Sequence, residues 1–370
     1  MSRIVLFGAT GYTGRLVAAA LVARGADPLL AARDRKRTEA LAAELAGPDG
    51  PAPEVAEADV HRPETVRALV ERGDVLVSTV GPFARWGAAA VEAAIAAGAH
   101  YLDSTGEPSF IRDVFHRWGP RAADAGSALV PAFGYDWVPG NLAGALALRD
   151  GGSEVTRVDV GYFVTGSTGP NALSGGTLAS AAGVLGAPGY AWRGGRLVEE
   201  MPARHHRTYR VHGSARAGLS VAGSEHLALP RLAPGLRDVA VHLGWFGPAA
   251  RPVQVLSQLT RLPVVPQLVE SIGGRLLRGS TGGPDEAVRR RSGAHVQAVA
   301  YGPDDRELAR VALDGPNPYT LTGDLLSWAA VRARDGELRG VGALGPVEAF
   351  GLDELTAGAA ELGLRRSSAR

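Results

Sequence analysis

The strongest constraint on the fold is a regular alternation of short apolar runs and helix-like segments over the first 130 residues. The segments between the apolar runs are rich in alanine and leucine and carry helix-like spacing. Alternating strands and helices build parallel sheets joined by right-handed crossovers. The sequence therefore predicts an α/β fold that begins with a doubly wound parallel sheet of the Rossmann type. The predicted strands are Arg3–Phe7, Pro28–Arg33, Glu54–Val60, Asp74–Val80, His100–Asp103 and Ser127–Ala132, and the predicted helices are Gly14–Ala23, Arg35–Ala46, Pro63–Glu71 and Gly87–Ala97.

The first predicted strand runs directly into a glycine-rich loop and a helix, in the sequence IVLFGATGYTGRLV. Glycine at three places in such a loop permits a tight turn, lets backbone N–H groups approach a pyrophosphate and lets the helix pack closely on the strand. The helix N-terminus then offers its amides and the positive end of its dipole to the phosphate. The loop predicts a dinucleotide site with contacts from Gly8, Thr10, Gly11, Tyr12, Thr13 and Gly14.

The end of the second predicted strand indicates which dinucleotide is bound. NAD-binding folds place an acid there for the ribose 2′-hydroxyl, whereas this chain has Arg33, with Arg37 close behind. A guanidinium can hold a 2′-phosphate with two hydrogen bonds, which favours NADP(H) over NAD(H). Asp34 leaves an alternative, because a strand end placed one residue later would put this acid in the ribose position.

Further cofactor contacts are expected where other strands end, because ligands of open α/β sheets bind at that edge. The end of the fourth strand, from Thr79 to Phe83, is placed to line the nicotinamide side, although a Gly-Pro pair also marks an ordinary turn. Asp59 and Val60 end the third strand and would flank the adenine. The contacts predicted at these ends are Asp59, Val60, Thr79, Val80, Gly81, Pro82, Phe83 and Ser104.

Composition excludes several classes of protein and site. The 370-residue chain has no cysteine, which rules out disulfides, thiolate metal sites and cysteine nucleophiles, and Lys36 is its only lysine. Without an HExxH motif or a dense acidic set, the sequence predicts no metal site. A formal net charge of +1 gives no reason to expect nucleic acid as a partner. No signal peptide or membrane-spanning segment is evident, so we expect a cytoplasmic protein.

After Gly134 the pattern changes to runs with β-like alternation, punctuated by glycine and proline, which predicts a second, mixed α/β (α+β) domain. The expected domains are a dinucleotide-binding domain at 1–133, a substrate or dimerisation domain at 134–335, and a segment at 336–370 that returns to the first domain. The last residues, RRSSAR, read as a frayed tail. The predicted strands are Val155–Val164, His206–His212, Arg237–Leu243 and Ala294–Tyr301, and the predicted helices are Thr177–Leu185, Val253–Leu277, Tyr319–Arg334 and Leu352–Leu362.

Four blocks, GATGYTG, STVGPFARWG, AGAHYLDSTGE and PAFGYDWVPGNLAG, resemble the saccharopine dehydrogenase-like family, which includes the trans-acting enoyl reductases. The similarity continues at Ser174–Thr177, at Tyr319–Leu325 and from Gly342 onwards. The resemblance implies an NADP-dependent oxidoreductase with a Rossmann domain, an inserted mixed α/β domain and often a dimer. The chain departs from the family at Gly134–Asn141, where members typically read Gly-Phe-Asp-Ser-x-Pro-Ser-Asp. Saccharopine itself is therefore not assumed as the substrate.

Tyr135 and Asp136, in the turn after the sixth predicted strand, are the first candidates for catalytic residues, because hydride transfer also needs a group that moves a proton. Two structural roles stay open: Asp136 could cap the following helix, and Tyr135 could be a core aromatic. Tyr101, Ser104, Thr105 and Glu107 form a second polar group at the same edge, where Glu107 could be a first-turn helix acid. The cluster RHHRTYRVHG predicts a basic strand that is exposed, that presents a proton donor or that binds an acidic substrate.

The residues and the resemblance together predict an NADPH-dependent reductase. It would transfer hydride to a C=N or C=C bond of a small metabolite or biosynthetic intermediate. Two alternatives remain at this point. One is an NADP-dependent dehydrogenase of an amino or hydroxy acid, and the other is a non-catalytic protein that senses NADP(H).

Overall fold

The computed structural model describes residues 2–46, 51–166, 188–244 and 282–367. The chain divides into two compact units, Met1–Asp136 with Tyr319–Gly351, and Trp137–Pro318 with Leu352–Arg370. This division differs from the three segments expected from the sequence at three places. Residues 134–136 and 319–335 belong to the first unit, and the residues from Leu352 belong to the second. The functional roles assigned to the expected segments stay predictions.

The first unit contains a parallel sheet of seven strands. The strands are β1 Ile4–Phe7, β2 Leu29–Ala32, β3 Val55–Glu57, β4 Val75–Ser78, β5 His100–Asp103, β6 Ala128–Val130 and β15 Gly342–Ala343. Their order in the sheet is β15-β6-β5-β4-β1-β2-β3. Strands β1 to β6 follow the classical Rossmann order, with the central strand β1 fully buried by the crossover helices. The six strands predicted from the sequence are all present, and the two-residue strand β15 completes the sheet.

The helices of the first unit cover this sheet with small apolar side chains. Helix Ala88–Ala97 buries Ala90, Val91 and Ala94 against the core. Helix Tyr12–Ala23 starts two residues before its predicted position, because Gly11 in extended conformation serves as its N-cap. The helices are α1 Tyr12–Ala23, α2 Arg35–Ala46, α3 Pro63–Arg67, α4 Phe83–Trp86, α5 Ala88–Ala97, α6 Pro108–Asp113, α7 Gly119–Ala125, α11 Pro318–Arg334 and α12 Pro346–Phe350, with a π-helical turn at Val114–Trp118.

The second unit is built on a mixed sheet of nine strands. The strands are β7 Arg157–Gly166, β8 Gly189–Arg193, β9 Arg196–Glu200, β10 His206–Val211, β11 Ser214–Val221, β12 Asp238–Leu243, β13 Ser292–Tyr301, β14 Glu307–Pro316 and β16 Arg365–Arg366. The main order is β10-β11-β12-β7-β13-β14-β16, and β8 and β9 form a hairpin beside β12. Strand β12 pairs parallel with β7, and the other pairings are antiparallel.

Four α-helices and one 3₁₀ turn complete the described part of the second unit. The helices are α8 Val138–Gly151, α9 Glu225–Leu232, α10 Glu286–Arg290 and α13 Leu352–Glu361, and the 3₁₀ turn is Gly152–Glu154. The four predicted strands are present within a few residues of their expected bounds. The sequence prediction missed β8, β9, β11 and β14. In β11 and β14, exposed residues on both faces of the strand break the alternation. The prediction of a frayed tail was wrong at Arg365–Arg366, which pairs with β14. The helices predicted at Thr177–Leu185 and Val253–Leu277, and the Ser174–Thr177 block, lie outside the described residues.

Candidate functional site

A cavity of about 280 Å³ opens at the carboxyl ends of β1, β2, β3 and β4 in the first unit. This is the edge of a doubly wound sheet at which dinucleotides bind. The cavity contains many of the contacts predicted from the sequence, from the glycine loop to the end of β4. Its lining consists of Phe7, Gly8, Thr10, Gly11, Ala32, Arg33, Ala58, Asp59, Val60, His61, Thr79, Val80, Gly81 and Trp86.

The glycine loop owes its shape to close contacts that only glycine allows. Gly8 has φ +93°, and a Cβ atom there would lie 2.7 Å from Thr79 Oγ1. A Cβ atom on Gly14 would lie 2.1 Å from the Gly8 carbonyl oxygen. The N–H of Gly11 donates to that same carbonyl at 3.0 Å, and α1 begins at the next residue. The loop therefore brings the helix N-terminus and its dipole to the cavity, which is the arrangement that fits a pyrophosphate.

The structure separates Arg33 from Asp34 at the end of β2. The strand ends at Ala32, and Arg33 lines the cavity. Asp34 instead precedes α2, where its Oδ1 accepts the Arg37 N–H at 3.1 Å and its carbonyl accepts the Thr38 hydroxyl at 2.7 Å. Asp34 thus acts as the helix cap, which is a sufficient reason for an aspartate at this position. The arrangement fits a 2′-phosphate beside Arg33, whereas Arg37 is exposed and outside the lining.

The turn after β4 is held in place by two polar contacts. The hydroxyl of Thr79 donates to the Gly8 carbonyl at 3.1 Å, so the glycine loop and the β4 end are tied together. The buried carboxylate of Glu107 accepts the N–H groups of Phe83 and Ala84, at 2.8 and 2.9 Å. Glu107 therefore positions the start of α4, beyond the cis peptide bond that precedes Pro82. This role differs from the first-turn helix acid considered from the sequence.

Several predicted cofactor residues lie outside the cavity lining. The Tyr12 ring packs edge-on against Tyr319, with ring centroids 5.2 Å apart. The Phe83 side chain is buried against Phe110, with centroids 5.7 Å apart. The side chains of Tyr12 and Phe83 thus take part in packing. Cofactor roles for all the predicted residues outside the lining stay predictions. The residues outside the lining are Tyr12, Thr13, Gly14, Arg37, Pro82, Phe83 and Ser104.

Three aromatic residues of the lining, Phe7, His61 and Trp86, were not among the predicted contacts. The rings of His61 and Trp86 meet edge-to-face with centroids 4.7 Å apart, and the Arg85 guanidinium lies 4.4 Å from the Trp86 ring centroid. Flat aromatic surfaces beside Asp59 and Val60 suit a planar base. Trp86 lies within the STVGPFARWG block, which carried the family resemblance without suggesting a role for this residue.

A buried carboxyl group that the sequence prediction omitted organises the ends of β5 and β6. Asp103 Oδ1 accepts the N–H groups of Thr105 and Ala132, both at 2.8 Å. Its Oδ2 is buried, and the Tyr101 hydroxyl interacts with the carboxyl group. Burial raises the pKa of Asp103 to about 7, against the opposing effect of these hydrogen bonds. Asp103 thus holds Ala132 at φ +60°, directly before the candidate catalytic turn.

That turn places the two predicted catalytic residues in different environments. Tyr135 is buried, and its backbone N–H donates to Thr322 Oγ1 at 3.0 Å. Asp136 keeps part of its surface accessible, but its Oδ1 is buried with no hydrogen-bond partner among the described residues. Burial raises the pKa of Asp136 to about 7. Trp137 is the N-cap of α8, so Asp136 does not serve as the helix cap considered from the sequence.

The second unit has its own buried polar cluster, which explains one departure from the family pattern. The hydroxyl of Tyr162 accepts the Gly140 N–H at 2.8 Å and donates to Glu225 Oε1 at 2.5 Å. A Cβ atom on Gly140 would lie 2.1 Å from the Tyr162 hydroxyl and 2.2 Å from the Glu225 oxygen. The serine that is typical of the family at this position would not fit here. Asn141 donates to Ser224 Oγ at 2.8 Å in the same cluster.

Among the described helices, none combines the length and the apolar character needed to span a lipid bilayer.

Residues 4–130 match the family model described as the saccharopine dehydrogenase NADP binding domain. The fold and the cavity thus define a Rossmann-type protein with an NADP-binding domain, in agreement with the predicted cofactor class. Over these residues, the match confirms the resemblance to the saccharopine dehydrogenase-like family that was seen first in the sequence blocks.

Two similar curated relatives come from mycobacteria. The chain is 40% identical over 187 residues to a Mycobacterium tuberculosis protein provisionally named a trans-acting enoyl reductase, covering 49% of this chain and 44% of the relative. It is 34% identical over 183 residues to a trans-acting enoyl reductase of Mycobacterium bovis, covering 48% of this chain and 43% of the relative. The matched part therefore spans less than half of these relatives.

Solved structures of low sequence identity share the fold over the full length of the chain. Saccharopine dehydrogenase (L-Glu forming) from Saccharomyces cerevisiae has a TM-score of 0.62 at 12% identity, with 100% of both chains covered. The homospermidine synthase of Legionella pneumophila, solved in complex with NAD, has a TM-score of 0.60 at 12% identity, covering 100% of this chain and 91% of that one. These likenesses confirm the predicted α/β fold with its second mixed domain.

Proposed function

We propose that the chain is an NADPH-dependent reductase that transfers hydride to a polarised C=C or C=N bond of a small metabolite or biosynthetic intermediate. The observation that carries the proposal is the cavity at the carboxyl edge of the Rossmann sheet, with Arg33 in its lining and Asp34 committed to capping α2. The enoyl reductase names of the curated relatives favour C=C over C=N.

The residues that would hold the cofactor follow from the cavity. The glycine loop and the start of α1 would bind the pyrophosphate, Arg33 the 2′-phosphate, and His61 with Trp86 the adenine. Thr79, Val80 and Gly81 would flank the nicotinamide. When bound, NADPH supplies the hydride.

Asp136 would supply the proton. A carboxyl group whose pKa lies near 7 is partly protonated under physiological conditions and can donate as a general acid. It follows β6, at the sheet edge where ligands of this fold bind. Asp103 would act as a positioning residue, because its hydrogen bond to Ala132 shapes the backbone that leads to Asp136.

A titration of the purified protein with NADPH and NADH, followed by nucleotide fluorescence, tests the cofactor assignment. We expect tighter binding of NADPH. Arg33→Ser should weaken NADPH binding about 10- to 100-fold, because hydrogen bonds to a charged group are worth roughly 1.5–3 kcal/mol. Binding of NADH, which has no 2′-phosphate, should stay the same.

The matched control is Arg37→Ser, which removes a nearby arginine outside the cavity lining. It should change NADPH affinity by less than about threefold, within the usual range for surface substitutions. Equal losses of NADPH affinity from both substitutions would show that Arg33 does not bind the 2′-phosphate. No binding of either nucleotide by the wild-type protein would refute the reductase proposal.

Substrate reduction is tested with a panel of α,β-unsaturated thioesters, enones and cyclic imines, by following NADPH oxidation. Asp136→Asn should slow turnover about 10²- to 10⁴-fold, the usual contribution of a positioned proton donor, without changing NADPH affinity. Oxidation of amino or hydroxy acids with NADP⁺ would favour the dehydrogenase alternative. Selective NADPH binding without turnover of any substrate would favour the sensing alternative. The cytoplasmic location and the homodimer stay predictions.

A further inference from the structure

Three metal-ligating side chains meet in the second unit, one of them from the basic cluster RHHRTYRVHG. His295 on β13 and Asp314 on β14 are directly opposite each other in the antiparallel pairing, so both point to the same face of the sheet. His212 lies in the turn between β10 and β11, 102 residues from Asp314 along the chain. No local spacing could have revealed this convergence, which explains why the sequence analysis predicted no metal site.

The donor atoms of these three residues are close enough to share one ion. Asp314 Oδ1 lies 2.7 Å from His295 Nδ1 and 2.9 Å from His212 Nε2, and one ligand atom from each residue lies within 4.8 Å of the others. Ligands in a tetrahedral zinc site lie about 3.3 Å apart, given metal–ligand distances of about 2.0–2.1 Å. To reach this spacing, the two Asp314–histidine separations would widen by about 0.4–0.6 Å, and the two imidazole nitrogens, which lie within 4.8 Å of each other, would settle at the same spacing.

Neighbouring contacts orient the ligands as the outer shell of a metal site does. The Ser367 hydroxyl donates to Asp314 Oδ2 at 2.5 Å and leaves Oδ1 directed at the two imidazoles. The His295 side chain is only 4% exposed and has little freedom to move, whereas the His212 side chain is 55% exposed and leaves a route for an ion to enter.

The backbone conformation at His212 bears on why a histidine stands at this position. Its φ of +46° lies in the left-handed region, where two-residue hairpin turns usually have asparagine, aspartate or glycine. Histidine also tolerates this region, but the turn itself does not require it. Its ring reaches the His295 ring, with centroids 4.9 Å apart, and so two imidazoles converge on a single carboxylate oxygen.

We propose that His212, His295 and Asp314 form a binding site for a divalent transition-metal ion, with Zn²⁺ as the best match. Two imidazole nitrogens and one carboxylate oxygen suit Zn²⁺, whereas Ca²⁺ and Mg²⁺ prefer sites made of oxygen ligands alone. Three protein ligands leave a fourth position for water or another small ligand. Because all three residues belong to the second unit, the site is independent of the NADPH proposal.

Calorimetric titration with Zn²⁺ tests the site, using protein freed of any affinity tag and treated with a chelator. We expect one saturable site per chain. His212→Asn should lower the affinity at least tenfold, because it removes a ligand, and asparagine suits the left-handed turn, so folding is preserved. His206→Asn is the matched control, since His206 is exposed on β10 of the same hairpin and does not belong to the three-residue site.

A second readout is the visible spectrum with Co²⁺ in place of Zn²⁺. Four-coordinate Co²⁺ should give intense d–d bands in the wild-type protein and in His206→Asn, and these bands should be lost in His212→Asn. Absence of saturable Zn²⁺ binding would overturn the proposal and leave a histidine–aspartate hydrogen-bond cluster. Equal affinities of the wild type and His212→Asn would overturn it as well.

Discussion

Replacing Asp136 by asparagine should make the protein more stable than the wild type, by a margin that grows as the pH rises. The same replacement should slow the proposed reaction. The substitution keeps the size of the side chain and removes its charge. Asp136 Oδ1 has no hydrogen-bond partner among the described residues, so its replacement breaks no hydrogen bond to them at that atom. The effect on stability should therefore come mainly from the cost of burying the charge.

The magnitude follows from the pKa of this carboxyl group. Burial raises the pKa to about 7 in the folded protein, from an ordinary value of 3.8. Each pH unit between these values is worth about 1.4 kcal/mol, so charging Asp136 within the fold costs about 4 kcal/mol. Because the folded pKa is raised, the unfolded chain loses its proton first, and the wild-type protein loses stability from about pH 4 to pH 7. The amide side chain of the Asp136→Asn variant does not ionise over this range, so the variant avoids this cost.

The assay is urea unfolding of both proteins at pH 5 and pH 8, followed by circular dichroism and tryptophan fluorescence. The difference in the free energy of unfolding between the variant and the wild type should grow by about 3 kcal/mol between these pH values. The matched control is Asp124→Asn, which changes an exposed carboxylate on α7 and should give a difference that barely depends on pH.

A difference between Asp136→Asn and the wild type that stays constant from pH 5 to pH 8 would refute the reasoning. It would mean that Asp136 is charged or compensated within the fold. The proposed proton donor would then have no acidic proton to give near neutral pH, and the pH dependence of turnover would have to come from another group, with Asp103 as the next candidate.

Two further predictions concern the cofactor cavity. Gly14→Ala should lower the free energy of unfolding by about 1–3 kcal/mol and weaken NADPH binding at least tenfold, because its Cβ would lie 2.1 Å from the Gly8 carbonyl; Gly235→Ala, which has open space around it, should do neither in thermal unfolding and fluorescence titration. Trp86→Ala should weaken NADPH and NADH binding by the same factor of about 2–10, since the adenine is common to both, and a loss confined to NADPH would contradict an adenine contact.

Much of the first unit could be predicted because its signals are local in the sequence. The strand, glycine loop and helix at the N-terminus lie within a few residues of one another, and each glycine has a backbone reason to be there. The strand His100–Asp103 and the helix Arg35–Ala46 have the predicted bounds. In the second unit, exposed residues on both faces of β11 and β14 obscured the alternation on which strand prediction depends.

The side chains that turn towards the cavity were harder to predict than the strands that carry them. Whether Arg33 or Asp34 faces the ribose depends on the single residue at which β2 ends, and the cap of α2 decides it. The Tyr12 ring packs on Tyr319, more than 300 residues away in the sequence, and no pattern near Tyr12 indicates that contact.

The sequence by itself determined the Rossmann architecture, the nucleotide loop and the class of cofactor, because these depend on the order of residues over short stretches. Only the tertiary structure decided that the Oδ1 atom of Asp136 is buried without a hydrogen-bond partner among the described residues, that Glu107 holds the start of α4, and that His212 reaches Asp314. Folding buries side chains and brings together residues from distant parts of the chain. The energies that shift a pKa or bind a metal ion arise from that burial and those contacts.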